Sequence, residues 1–256
     1  MSFLHKLGIG VGSAERARQE VPGPIHLTSR ARTPGAPASS ASTSAVGTAL
    51  APVQLESNRL SNGLKELLWN LQGLERGALL DLGPVWQTTL SFFIERGFRV
   101  SSEDVLRAWK TFLNEEETRL KQDFAAGETL EMTPSARAAR FLKENLQHPR
   151  SSFDAVLLWD LLDYLEQALV KQIVANLTEL LRPGGVVFAM FHSKKPEGFQ
   201  RYRVLDSSTL QMVPTPILCP AQKVYQNREI QDLFGRYRTV KSFVGRDQLR
   251  ETLFIK

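Results

Sequence analysis

The run Phe153-Asp-Ala-Val-Leu-Leu-Trp-Asp160 constrains the fold more than any other stretch of the chain. Its apolar residues are consecutive rather than alternate, so a strand here must be covered on both faces. A second such run, Val186-Val-Phe-Ala-Met-Phe191, comes after a helical stretch from Leu161 to Leu181 and the breaker Arg182-Pro-Gly-Gly185. Doubly covered strands separated by a helix predict a parallel pair joined by a right-handed crossover.

The same alternation continues upstream. Leu64, Leu67, Leu68 and Leu71 recur at helical spacing, and order begins near Ser61. Ala78-Leu-Leu-Asp-Leu-Gly83 reads as a first strand, 87–96 as a helix ended by Gly97, and 98–104 as a second strand. A long helix over 105–125 carries Leu106, Trp109, Phe112 and Leu113 on one stripe, and another covers 136–146. Downstream, 193–222 is loop-rich with a hairpin around Asp206-Ser-Ser, and Asn227 is placed to cap a helix through Phe234. Residues 238–244 and 249–255 read as two strands joined at Gly245-Arg-Asp. The expected class is α/β: a doubly wound, mostly parallel sheet with an antiparallel C-terminal strand. Ligands of such sheets bind at the carboxyl ends of the strands, where the strand order reverses.

Residues 1–60 differ in kind. They include Thr33-Pro-Gly-Ala-Pro-Ala-Ser-Ser-Ala-Ser-Thr-Ser44 and few large apolar residues between 10 and 54, too little to offset chain entropy. The predicted division is therefore a disordered Ser/Pro/Ala-rich tail over 1–60 and a folded domain over 61–256. The tail carries six basic and three acidic residues, which accounts for +3 of the net +5 and leaves +2 on the folded part. That near balance does not favour a nucleic-acid partner. Cys219 is the sole cysteine, so the chain can form no internal disulfide and no multi-cysteine metal site. No stretch approaches the ~20 apolar residues of a membrane span. The first twelve residues lack the apolar core of a secretory signal. A cytoplasmic protein is the expectation.

Three acids end the predicted strands. Asp81 and Gly83 stand at the first strand-to-helix turn, where a glycine lets backbone N–H groups approach a ligand. Asp104 lies 21 residues beyond Gly83, placed to accept ribose hydroxyls or to cap the helix that follows; both roles can hold together. Asp160 follows Trp159 at the end of the strongest strand; the pair would border a cleft, or serve as a helix cap and a core residue.

Asp81-Leu-Gly-Pro84, Arg99-Val-Ser-Ser-Glu-Asp104, the run from Phe153 to Leu165, Leu180-Leu-Arg-Pro-Gly-Gly-Val-Val187 and the terminal hairpin come in the order of the class I S-adenosylmethionine-dependent methyltransferases, which this chain resembles over 78–256. The resemblance implies S-adenosylmethionine as cofactor, contacted by Asp81, Gly83, Pro84, Val85, Asp104, Trp159 and Asp160, and no metal. The chain departs from the family where the later glycines of the first loop are Val85 and Gln87, whose Cβ atoms would crowd the cofactor or oppose a positive φ. A third strand has only Glu128-Thr-Leu-Glu-Met-Thr133 as candidate, and the Asn-Pro-Pro-Tyr type motif of amino-methylating enzymes is absent.

No catalytic group stands out. His192 could serve as a general base after the fifth strand, although a hydrogen-bonded structural histidine is the plainer reading. Tyr164, Arg201, Tyr202 and Arg203 could line a substrate opening or simply pack a hairpin. Three functions follow. One is a methyltransferase acting on a small-molecule acceptor. Another is a catalytically inactive methyltransferase-like binding or scaffold protein, with a protein partner held through the tail. The last is a nicotinamide enzyme, which a parallel strand at 249–255 would favour.

Overall fold

The computed structural model describes residues 56–125 and 132–256. All lie in one compact unit spanning 50–256. The expected tail and the candidate third strand at 128–133 fall wholly or mostly outside the described residues.

The elements run β1 (Ser57–Leu60), α1 (Asn62–Asn70), β2 (Ala78–Asp81), α2 (Gln87–Ile94), β3 (Arg99–Ser102), α3 (Val105–Ala125), α4 (Pro134–Asn145) and β4 (Phe153–Trp159). A 3₁₀ turn (Leu161–Tyr164) leads to α5 (Gln167–Leu180), β5 (Leu181–His192), β6 (Gln200–Val204), β7 (Thr209–Pro214), α6 (Asn227–Leu233), β8 (Arg238–Val244) and β9 (Leu249–Ile255). Among the described residues, six strands form the main sheet in the order β3-β2-β4-β5-β9-β8. The β3–β2, β2–β4 and β4–β5 pairs are parallel, whereas β9 runs antiparallel to both neighbours. The doubly wound reading therefore holds. An antiparallel β9 leaves the nicotinamide reading without the strand direction it needed.

The consecutive apolar residues of β4 and β5 work as expected of doubly covered strands. Val156, Leu158, Val187, Ala189 and Phe191 pack under α3, α4, α5 and α6, while Ala155, Leu157, Val186, Phe188 and Met190 pack under α1 and α2. Neighbouring residues feed opposite layers because strand side chains alternate with period two. At residues of roughly 1.5–3 kcal/mol each on burial, these runs make the central pair the best-held part of the sheet. Arg182-Pro-Gly-Gly185 does not simply end α5. It bulges out of β5, so that Leu181 pairs with Phe153 and Val186 with Ala155, with Gly184 at φ +80°.

Two local expectations change. The strand β1, Ser57–Leu60, lies inside the stretch assigned to the tail on composition. It pairs antiparallel with β7 and anchors through Arg59, whose buried guanidinium reaches Asp247 at 2.8 Å and Glu251 at 2.9 Å. An edge strand held by its backbone and one arginine needs little apolar content, which is why composition misses it. Helix α6 is capped by Gln226 rather than Asn227, because Gln226 and Glu229 form a reciprocal capping box. Among the described residues, no helix is long and apolar enough to cross a membrane.

Candidate functional site

Strand order reverses between β2 and β4: the chain moves outward from β2 to β3 on one side and from β4 to β5 on the other. The carboxyl ends of these strands are the place where a doubly wound sheet takes a ligand. Asp81, Asp104 and Asp160 stand at or just beyond the ends of β2, β3 and β4, three adjacent strands.

Each acid has a partner within the chain. Asp81 Oδ1 accepts from the Gly83 backbone N–H at 2.9 Å and from the Trp159 indole N–H at 2.7 Å. Burial pushes this carboxyl up to about 6, against the two hydrogen bonds that favour the ionised form. Asp104 Oδ1 accepts from the backbone N–H of Arg107, capping α3, and from the Arg201 guanidinium at 2.9 Å. Asp160 Oδ2 meets His192 Nε2 at 3.0 Å and accepts from the Tyr202 hydroxyl at 3.1 Å. It makes no side-chain cap to the 3₁₀ turn that follows.

Gly83 is a glycine for a different reason from the one expected. A Cβ there would stand 2.8 Å from Trp159 Nε1, so the space a side chain would take is filled by the indole. Trp159 itself has φ +51°, the left-handed region that a bulky residue occupies only under strain of roughly 1–3 kcal/mol. Its ring stacks on Tyr202 with centroids 5.9 Å apart and an angle of 13°. Val85 lies in the turn after β2, and Gln87 opens α2. Both side chains are exposed, and neither backbone has a positive φ.

Gly83, Pro84, Trp159 and Asp160 line one crevice together with Tyr164, Arg201 and Tyr202. Asp81 sits one hydrogen bond behind its wall, and Asp104 joins through Arg201. Val85 is not part of the lining. The free volume left is about 10 Å³, room for roughly one water molecule. A pocket for a cofactor-sized ligand measures about 300–1,000 Å³. The strand-tip acids suit an adenosyl group in kind, but this arrangement does not admit one. Larger clefts of about 360 Å³ beside α6 and 680 Å³ along α4 and α5 are lined by none of these acids.

Sequence reasoning passed over Asp163. It is fully buried, and its Oδ2 accepts from the His192 backbone N–H at 2.7 Å. Burial, with Asp160 nearby, pushes its carboxyl up to about 8. The signal was available as a lone acid inside Leu161-Leu-Asp-Tyr-Leu165. For His192, burial lowers the imidazole pKa, but Asp160, Asp163 and Asp247 outweigh it and hold the ring above its ordinary value. Tyr164 has a buried hydroxyl with no hydrogen-bond partner and is pushed upward by burial and by both acids.

No protein-family model matches the chain, and neither does any curated protein. Solved structures similar to it include 1,6-didemethyltoxoflavin-N1-methyltransferase of Burkholderia thailandensis with bound 1,6-didemethyltoxoflavin and S-adenosylhomocysteine (16% identity over 76% of this chain and 78% of that one, TM-score 0.41). A methyltransferase from Aquifex aeolicus (13%, 77% and 90%, 0.40) and one from Mesorhizobium loti (14%, 75% and 96%, 0.41) are similar to the same degree. The strand order and directions of this chain carry the conclusion without them: its doubly wound sheet, closed by an antiparallel hairpin, is the fold of the class I S-adenosylmethionine-dependent methyltransferases.

Proposed function

We propose that this chain is an S-adenosylmethionine-dependent methyltransferase, acting on a small-molecule acceptor in the cytoplasm, with its crevice closed in the arrangement described. The observation that carries the reading is the gathering of Asp81, Asp104 and Asp160 at the tips of three adjacent strands flanking the switch point. Asp104 is the residue proposed to take the ribose, and Gly83, Pro84, Trp159 and Asp160 the ones proposed to border the cofactor. Val85 is proposed with them, although its exposed side chain is not part of the crevice lining. His192 is a weaker candidate for a base, because its Nε2 is already engaged by Asp160. The near balance of charge on the folded part supports a small acceptor over a polyanion.

A second reading has an observation of its own. With about 10 Å³ free and Trp159 bonded to Asp81, the domain could serve as a methyltransferase-like binding module without catalysis, tethered to a protein partner by residues 1–60. Calorimetric titration of the full chain with S-adenosylhomocysteine separates the two. Heat of binding that disappears in Asp104→Ala supports the enzyme. No heat at millimolar ligand, in the wild type and in variants that open the crevice, leaves the binding module.

A further inference from the structure

The crevice is not merely narrow; one strand of the same chain fills it. Arg201 and Tyr202 are consecutive residues of β6, so their side chains leave the strand on opposite sides. Yet each ends on a different strand-tip acid, Arg201 on Asp104 and Tyr202 on Asp160. Strand β6 therefore crosses the mouth with one residue reaching toward β3 and the next toward β4. The groups that ligand hydroxyls would use are spent on the protein's own donors.

The two halves of this filling differ in how firmly they are held. Tyr202 is buried, stacks on Trp159 and shares Asp160 with His192. Beyond it, the buried Val204 donates its N–H to Thr89 Oγ1 at 2.9 Å, and β6 pairs with β7 throughout. Among the described residues, the Arg201 guanidinium meets Asp104 and the face of Phe199, 5.1 Å away. Its side chain is 11% exposed and that of Asp104 is 17% exposed, so the pair already borders water. The pair is mostly covered but lies nearer to water than Arg59 and Glu251 do, so parting it costs less than breaking that more enclosed pair.

We propose that Arg201 is a removable stopper of the adenosyl crevice: its guanidinium occupies the ribose-binding acid Asp104, and an adenosyl ligand enters only by displacing it, while Tyr202 and Trp159 remain as the fixed wall. The inference rests on the methyltransferase reading above. It assigns Arg201 a role in setting affinity through competition, not a role in the chemistry.

The test is calorimetry on the full chain, wild type against Arg201→Ala, with two probes. S-adenosylhomocysteine reads the whole site. Adenosine is neutral, so its affinity does not change merely because a positive charge has been removed. Arg201→Ala should bind both probes at least tenfold more tightly than the wild type. Arg201→Met, which keeps a long side chain against Phe199 but cannot pair with Asp104, should show an intermediate gain and serves if the alanine variant is poorly folded. Equal affinity in wild type and variants overturns the stopper while leaving the methyltransferase reading in place. Absence of binding of either probe to variants whose thermal melting matches the wild type overturns both.

Discussion

The indole N–H of Trp159 donates to Oδ1 of Asp81 at 2.7 Å, joining the tips of two adjacent parallel strands by a side-chain bond. The same carboxylate oxygen accepts from Gly83, so one atom fixes the end of β2, the turn after it and the end of β4.

Replacing Gly83 by alanine should destabilise the domain by about 1–3 kcal/mol, since its Cβ would press on the indole at 2.8 Å. Pairing the change with Trp159→Leu should cost less than the sum of the two single losses, because the crowded partner is gone. Urea unfolding of the four proteins checks this. Strict additivity would mean that the two residues do not meet.

Asp81 and Asp163 both hold their protons more tightly when folded, at about 6 and about 8 against an ordinary 3.8. Between about pH 4 and pH 8 the native state thus binds more protons than the unfolded chain, and stability falls as pH rises. His192, also raised when folded, adds a loss in the same direction above its ordinary 6.5. The urea midpoint of the wild type should drop from pH 5 to pH 8, and Asp163→Asn should flatten that slope. An unchanged slope in the variant would remove Asp163 as its source.

Glu251 is buried, accepts from the Gly63 N–H at 2.7 Å and pairs with Arg59 at 2.9 Å. Removing one partner of such a pair leaves an uncompensated charge, at a cost of about 3–5 kcal/mol. Arg59→Ala should therefore cost more than Arg203→Ala, whose partner Glu56 is half exposed. Thermal melting of the two variants checks the order.

A chain beginning at residue 61 should melt below one beginning at residue 56. The shorter chain lacks the pairing of β1 with β7 and leaves Asp247 and Glu251 without Arg59. Equal melting temperatures would place the start of the stable domain at Ser61 after all.

Much of this architecture was legible in the chain because it rests on runs of neighbouring residues. The doubly buried stretches in β4 and β5, the stripe on α3 and the acids ending three strands are all local patterns. What closes the crevice is not local. Arg201 and Asp104 are 97 residues apart, and Trp159 and Asp81 are 78 apart. No spacing rule relates them until the hairpin and the sheet have been placed. The left-handed backbone of Trp159 was equally hidden, since such a conformation ordinarily advertises itself by a glycine. Arg59 looked like one more charge of a polar tail, because an ion pair made with β9 leaves no trace near residue 59. Val85 and Gln87 have exposed side chains, and the side chains that fill the crevice come from β6 and the end of β4.

The backbone at Trp159 also bears on how this molecule could change over generations. Tryptophan has one codon, TGG, and a single base substitution turns it into GGG, glycine. Glycine is the residue most at ease with the φ of +51° found there, and it would vacate the indole's place beside Gly83. The buried ring would be forfeited, at about the 3–5 kcal/mol expected for emptying a tryptophan site, less whatever the backbone relaxation returns. A shut crevice and a wider one are thus neighbours in genetic space, separated by one nucleotide and by a loss that is a large fraction of the roughly 5–15 kcal/mol holding an ordinary domain folded.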